Sequence, residues 1–176
     1  MSEDEFEKNR ANENEPDKLD KREQALLYFY EGEKHQMRGE FGRAIELYMK
    51  SINLYPSAKV HTWLGWTYSM MGRFQDAIEE CHKAIRLDRN FGNPYNDIGA
   101  CLVQLGEHDA AIPWLEKAID APDYEARSHP HMNLGRIWEH RLEWEKAIES
   151  YRNALYESPD YEGAFLALKQ LRAKLN

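Results

Sequence analysis

The chain has 176 residues, of which 42% are hydrophobic and 31% charged, enough for one domain with a sizeable buried core. Its net charge of −8 argues against the basic face that nucleic-acid binding needs, and two cysteines, Cys81 and Cys101, are too few for a disulfide scaffold and lack CxxC spacing. No apolar run approaches 18 residues and no leader pattern is visible, so no membrane partner and a cytoplasmic location are expected.

In chain order, residues 1–19 read as an acidic, disordered tail. Up to Gln24 nine acids face five bases, so this short stretch carries −4 of the total charge. It has too few large apolar residues to offset an ordering entropy of about 1–2 kcal/mol per residue. Asp20 followed three residues later by Glu23 forms a capping-box pattern, which predicts a helix from near Lys21 and a single folded domain over residues 20–176.

From there the chain repeats itself. Gly32, Gly65, Gly99 and Gly135 are spaced by 33, 34 and 36 residues, and Ala44, Ala77, Ala111 and Ala147 keep the same intervals. Further columns hold that register: Phe41, Phe74, His108, Trp144; Ile45, Ile78, Ile112, Ile148; and Ser51, Ala84, Ala118, Ala154. A fixed period of this length is the mark of a stacked-repeat architecture. Each unit reads as two helices, because apolar residues recur three and four apart on either side of a break at Gly39, Gly72, Gly106 and Leu142. The small residues in register sit where paired helices approach closely, and Trp144 is expected between helices. The units span about 25–57, 58–91, 92–127 and 128–161.

The third unit is the irregular one. Its two extra residues belong between Pro122 and Ser128, and Pro113 falls in its second helix, where an N-cap at Asp109 would keep the proline in the first turn or so. Beyond Pro159, residues 162–175 put Ala164, Leu168, Leu171 and Leu175 on one stripe and Lys169, Gln170, Arg172 and Lys174 on the other, a cap helix with a polar outer face.

Leu64-Gly65, Tyr68, Ala77 and Ala84 in the second unit, and Leu134-Gly135, Trp138, Ala147, Tyr151, Ala154 and Pro159 in the fourth, resemble the tetratricopeptide repeat. Arg89 in place of a closing proline, Glu31 in place of Leu and Leu142 in place of a turn glycine depart from that signature. The resemblance, from about Ala25 to Asp160, implies an all-α, right-handed α-solenoid of four helix-turn-helix units with a C-terminal capping helix. It also implies a concave groove lined by the first helix of each unit, in which another protein or peptide binds.

Carried over in register, the groove candidates are Phe29, Glu33, Gln36 and Met37 in the first unit, and Lys59, Thr62, Trp66, Ser69 and Met70 in the second. They continue with Asn93, Asn96, Ala100, Val103 and Gln104, then His129, Met132, Arg136, Glu139 and His140. Phe29, Trp66, Met70 and Arg136 are the expected contacts, since aromatics and Arg carry binding hot spots of about 2 kcal/mol or more and Met adapts to varied apolar groups. Phe29, Met37 and Met70 also fit an intramolecular packing role, whereas Trp66 is expected to be exposed. The clamp by which related co-chaperone repeats hold a C-terminal carboxylate is missing: its positions hold Phe29, Glu33, Trp63, Asn93 and Asp97, none of them cationic.

No catalytic, cofactor or metal site is expected. No two histidines stand four apart as HExxH-type zinc ligands must, and neither a phosphate loop nor a GxSxG elbow occurs. The function read from the sequence is a protein-interaction scaffold or adaptor, with self-association into a homo-oligomer as the alternative.

Overall fold

The structure is a computed structural model that describes residues 19–175. Most of the segment read as an acidic tail therefore lies outside the described residues. Helix α1 (Lys21–Met37) opens at the expected capping box: the Asp20 carboxylate accepts from the Glu23 amide at 2.8 Å, and the Glu23 carboxylate accepts from the Asp20 amide at 2.9 Å. It pairs with α2 (Phe41–Leu54). Three more hairpins follow, α3 (Ala58–Met70) with α4 (Phe74–Leu87), α5 (Asn93–Gln104) with α6 (His108–Asp120), and α7 (Ser128–His140) with α8 (Trp144–Glu157). Helix α9 (Glu162–Leu175) packs on α8 and closes the array.

Each hairpin turns through one residue in the left-handed region. Gly39, Gly72 and Gly106 have φ of 75°, 74° and 78°, and Leu142 follows at 61°. The turn bonds coincide too: Gly39 and Leu142 donate to the carbonyls of Gln36 and Glu139, and the next residues, Glu40 and Glu143, to those of His35 and Trp138. Hydrogen bonding thus holds Leu142 in a conformation that costs a side-chain-bearing residue about 1–2 kcal/mol.

The registered glycines and alanines do what the sequence asks of them. Ala44, Ala77, Ala111 and Ala147 are fully buried between paired helices, and Tyr48, Leu115 and Tyr151 lie against Gly32, Gly99 and Gly135. Burial then crosses every repeat boundary. Phe29, Ala44 and Tyr48 join Val60 and Leu64 of the next hairpin; Cys81 joins Ile98, Leu102, Leu115, Leu134 and Ile137; Met132 and Tyr151 join Leu168 and Leu171 of α9. Because each hairpin leaves one apolar face for its neighbour, the units are stable as a stack.

The irregular third unit is accommodated locally. Helix α6 begins two residues before the expected Asp109 cap, at a Glu107 that makes no side-chain cap bond, so Pro113 lies well inside the helix. Its ring points outward to solvent, where water can serve the Asp109 carbonyl that loses its donor. The following loop folds back: the Gly92 amide donates to the Asp123 carbonyl at 2.8 Å, Arg127 donates to the carbonyls of Ile119 and Ala121, and Tyr124 is buried over Gly92.

Two expectations about packing are corrected. Leu175 does not join Ala164, Leu168 and Leu171 in the cap interface; as the last described residue of α9 it is exposed, as are Phe165 and Leu166. Trp144 is half-buried at the rim of the terminal core instead of enclosed between helices, because it stands at the start of α8.

Candidate peptide-binding groove

Helices α3, α5 and α7 lie side by side, as the first helices of successive hairpins must when the second helices occupy the opposite layer. Between them opens a cavity of about 660 Å³. Its α3 wall is Trp63, Trp66 and Ser69; its α5 wall is Asn93, Asn96, Asp97, Ala100 and Gln104; His129 of α7 and Phe74 contribute at the edges. A 3.6-residue helix turns positions three and four apart to one face, which is why one helix delivers Trp63 and Trp66, and the other Asn93, Asn96, Asp97 and Ala100, to a shared space.

The aromatic wall is built from the core outward. Phe29, 1% exposed, packs edge-on against Trp63 at 5.7 Å between ring centroids, and Trp63 packs edge-on against Trp66 at 5.2 Å. Trp66, 39% exposed, is the outermost ring of this series. A large side chain fixed by its neighbours loses little entropy when a ligand covers it, which suits it to carry binding energy.

The opposite wall is polar and carries the Asp97 carboxyl. Asn133 Nδ2 of α7 donates to Asn96 Oδ1 at 3.3 Å, and Asn96 Nδ2 donates to Asp97 Oδ1 at 3.3 Å. Burial pushes the Asp97 carboxyl up to about 7, and the Asn96 bond offsets only part of this. The neighbouring Cys101 thiol is pushed up to about 12, by burial first and then by the Asp97 charge, so it stays protonated. Desolvation lowers the pKa of His129, which leaves its ring neutral at pH 7.

Of the residues carried over from the repeat register, Thr62, Trp66, Ser69, Asn93, Asn96, Ala100, Gln104 and His129 line this cavity. Phe29 and Met132 do not: they are core residues, corrected here because the position three before each registered glycine faces the adjacent hairpin. Thr62 and Asn96 share that column and are equally buried, reaching the cavity only by an edge. Gln36 is buried as well, accepting from Tyr48 and Thr67 at 2.8 and 2.7 Å. Glu139 is held by Tyr151 and by Lys174 of α9, which brings its carboxyl below the usual range against the opposing effect of burial.

Glu33, Met37, Met70, Arg136 and His140 lie outside the cavity lining. Met37, 72% exposed, and Met70 are open to solvent at the ends of α1 and α3, and His140 meets the ring of His108 at 4.3 Å. The register reading missed Trp63 and Asp97 as lining residues. Both stand two positions before a registered glycine, in a column with Tyr30 and Asn133, and that column was the available signal. Among the described residues no group of three His, Cys, Asp or Glu side chains could hold a metal ion, and no helix is long and apolar enough to cross a membrane.

Family models of the tetratricopeptide repeat match residues 58–91 and 93–122, the second and third hairpins. The chain is a tetratricopeptide repeat protein. Its relatives include the human DnaJ homolog subfamily C member 7, 26% identical over 141 residues, and the small glutamine-rich tetratricopeptide repeat-containing protein 2 of Mycosarcoma maydis, 30% identical over 91 residues. Those matches cover 77% and 51% of the chain but only 28% and 26% of the relatives' own lengths. Among solved structures, the MamA protein superposes with a TM-score of 0.68 at 28% identity over 86% of each chain. Pseudomonas aeruginosa PilF reaches 0.80 at 23% identity over 88% of this chain and 70% of its own. YrrB, described as a tetratricopeptide repeat protein with an unusual peptide-binding site, reaches 0.63 at 21% identity, covering 85% and 77%. These neighbours share the right-handed α-solenoid that the family resemblance implies.

Proposed function

We propose that this tetratricopeptide repeat protein is a non-catalytic interaction scaffold that receives an extended peptide segment of a partner protein between α3 and α5. The observation that carries this reading is the 660 Å³ cavity with one aromatic wall and one hydrogen-bonding wall. Apolar side chains of a ligand would cover Trp63 and Trp66, while Asn93 and Gln104 offer amide groups to a backbone that has no strand partner. Tetratricopeptide repeat proteins are in general protein-interaction modules, which fits the reading without naming the partner.

The test is selection of peptides from a displayed random dodecamer library, followed by binding titrations with the chain and its Trp66→Ala variant. Peptides that bind the chain and lose at least tenfold in affinity on the variant, at an unchanged melting temperature, support the proposal. Selected peptides that bind both proteins alike contradict it.

Self-association is the second reading, favoured by the apolar surface that Leu26, Leu27 and Tyr30 leave exposed on α1 at the open end of the stack. Sedimentation velocity over a hundredfold concentration range separates it: a concentration-dependent dimer that the exposed-face variant Leu27→Glu abolishes would favour it over a monomeric receptor.

A further inference from the structure

Asp97 is an unusual residue for the wall of a binding groove. It sits half-buried on α5, in the cavity that Trp63 and Trp66 line from α3, and among the described residues its one side-chain hydrogen bond comes from Asn96. Among the described residues it has no ion-pair partner, although six ion pairs of Lys or Arg with other acids are formed elsewhere. No described Lys or Arg lines the cavity. A carboxylate withdrawn from water without a cation is costly, and such a group gains strongly when a counter-charge arrives. The indoles that line the same cavity add to the preference, because an aromatic ring attracts a cation that reaches its face.

Resting on the groove reading above, we propose that Asp97 is the anchor for a cationic side chain, Arg or Lys, of the bound peptide, with Trp63 and Trp66 packing against its aliphatic stem. The Asn133–Asn96–Asp97 series fixes the carboxylate from behind and leaves its second oxygen for the incoming donor. Charge on the page selects the occupant. A second copy of this chain would bring a net charge of −8, and its own first 24 residues carry −4, so both meet Asp97 with like charge. A basic segment of a partner meets it with opposite charge. The feature also inverts the preference of the carboxylate-gripping clamp, whose positions in this chain include Asp97 itself.

The experiment uses blocked nonapeptide libraries on beads, identical except that the central residue is fixed as Arg, Lys, norleucine or Glu, probed with the fluorescently labelled chain at pH 8. The expected result is retention by the Arg and Lys pools at least tenfold above the norleucine and Glu pools, a margin that shrinks with added salt. Asp97→Asn should lose the margin of the Arg and Lys pools over the norleucine pool. Asp97→Glu should keep a cation preference, which a purely structural role would not restore. Retention that is equal across pools, or strongest for Glu, overturns the anchor while leaving the groove reading intact. Retention by no pool overturns both. A margin that survives in Asp97→Asn overturns the assignment to this residue.

Discussion

The ring of Tyr151 lies so close to Gly135 that a β-carbon on that glycine would stand 2.3 Å from the tyrosine Cε1. The contact fixes the separation of α7 and α8, and the Tyr151 hydroxyl, donating to Glu139 at 2.9 Å, fixes the ring in turn. Gly135→Ala should therefore destabilise the chain by about 1–3 kcal/mol, the cost of overpacking a tight interface. Gly42, in α2, has open space around its α-carbon, and Gly42→Ala should stabilise by about 0.5–1 kcal/mol through helix propensity alone. Urea unfolding of both variants checks the opposite signs.

Leu142 occupies a turn that its three counterparts entrust to glycine, at a φ of 61° and with its side chain 65% exposed. Nothing in packing recompenses that strain. Leu142→Gly should raise stability by up to about 1 kcal/mol, the relief of the left-handed conformation less the added freedom of the unfolded chain. The melting temperature should rise for Leu142→Gly and fall for Leu142→Val.

The Asp97 carboxyl gives the free chain a pH dependence whose sign is fixed by the direction of its displacement. Burial raises it from its ordinary 3.8 to about 7, so between these values the folded chain keeps a proton that the unfolded chain releases. Its contribution is complete below pH 4 and is lost as pH rises through about 7. Cys81, Cys101 and Tyr124, which sense its charge, stay neutral throughout. Asp97→Asn should gain on the order of 1–2 kcal/mol over the unsubstituted chain at pH 8 and little at pH 4, measured by denaturant titration at both values.

Trp144 and Trp66 should separate scaffold from surface. Trp144→Ala removes a half-buried ring from the terminal core and should cost about 1–3 kcal/mol, less than the 3–5 kcal/mol of a fully enclosed tryptophan. Trp66→Ala should change stability by less than about 1 kcal/mol. Thermal melts of the two variants decide this, and equal losses would mean that Trp66 is part of the fold.

The architecture was legible in the residues because close packing leaves a periodic trace. Gly32 and Tyr48, or Gly135 and Tyr151, must recur together wherever two helices touch, and the turn positions from Gly39 to Leu142 recur with them. The groove was legible only in part. Register tells which helix faces inward, but the position of Phe29 and the position of Tyr30 differ by 100° of rotation, and a single residue decides between core and cavity. The column of Phe29, Thr62, Asn96 and Met132 was read as groove and is buried throughout, whereas its neighbour, with Trp63 and Asp97, carries the cavity wall. The placement of Trp66 and Asp97 on two walls of one cavity arises from stacking between hairpins, which no local pattern encodes.

The most direct measurement is a two-dimensional 15N–1H spectrum of the five tryptophan indoles as a selected peptide is added. Trp63 and Trp66 line the groove, while Trp114, Trp138 and Trp144 lie outside its lining. The account predicts shifts at the Trp63 and Trp66 signals, saturating together, with the other three unmoved. Saturable binding that leaves Trp63 and Trp66 in place and moves Trp114 or Trp144 would contradict it.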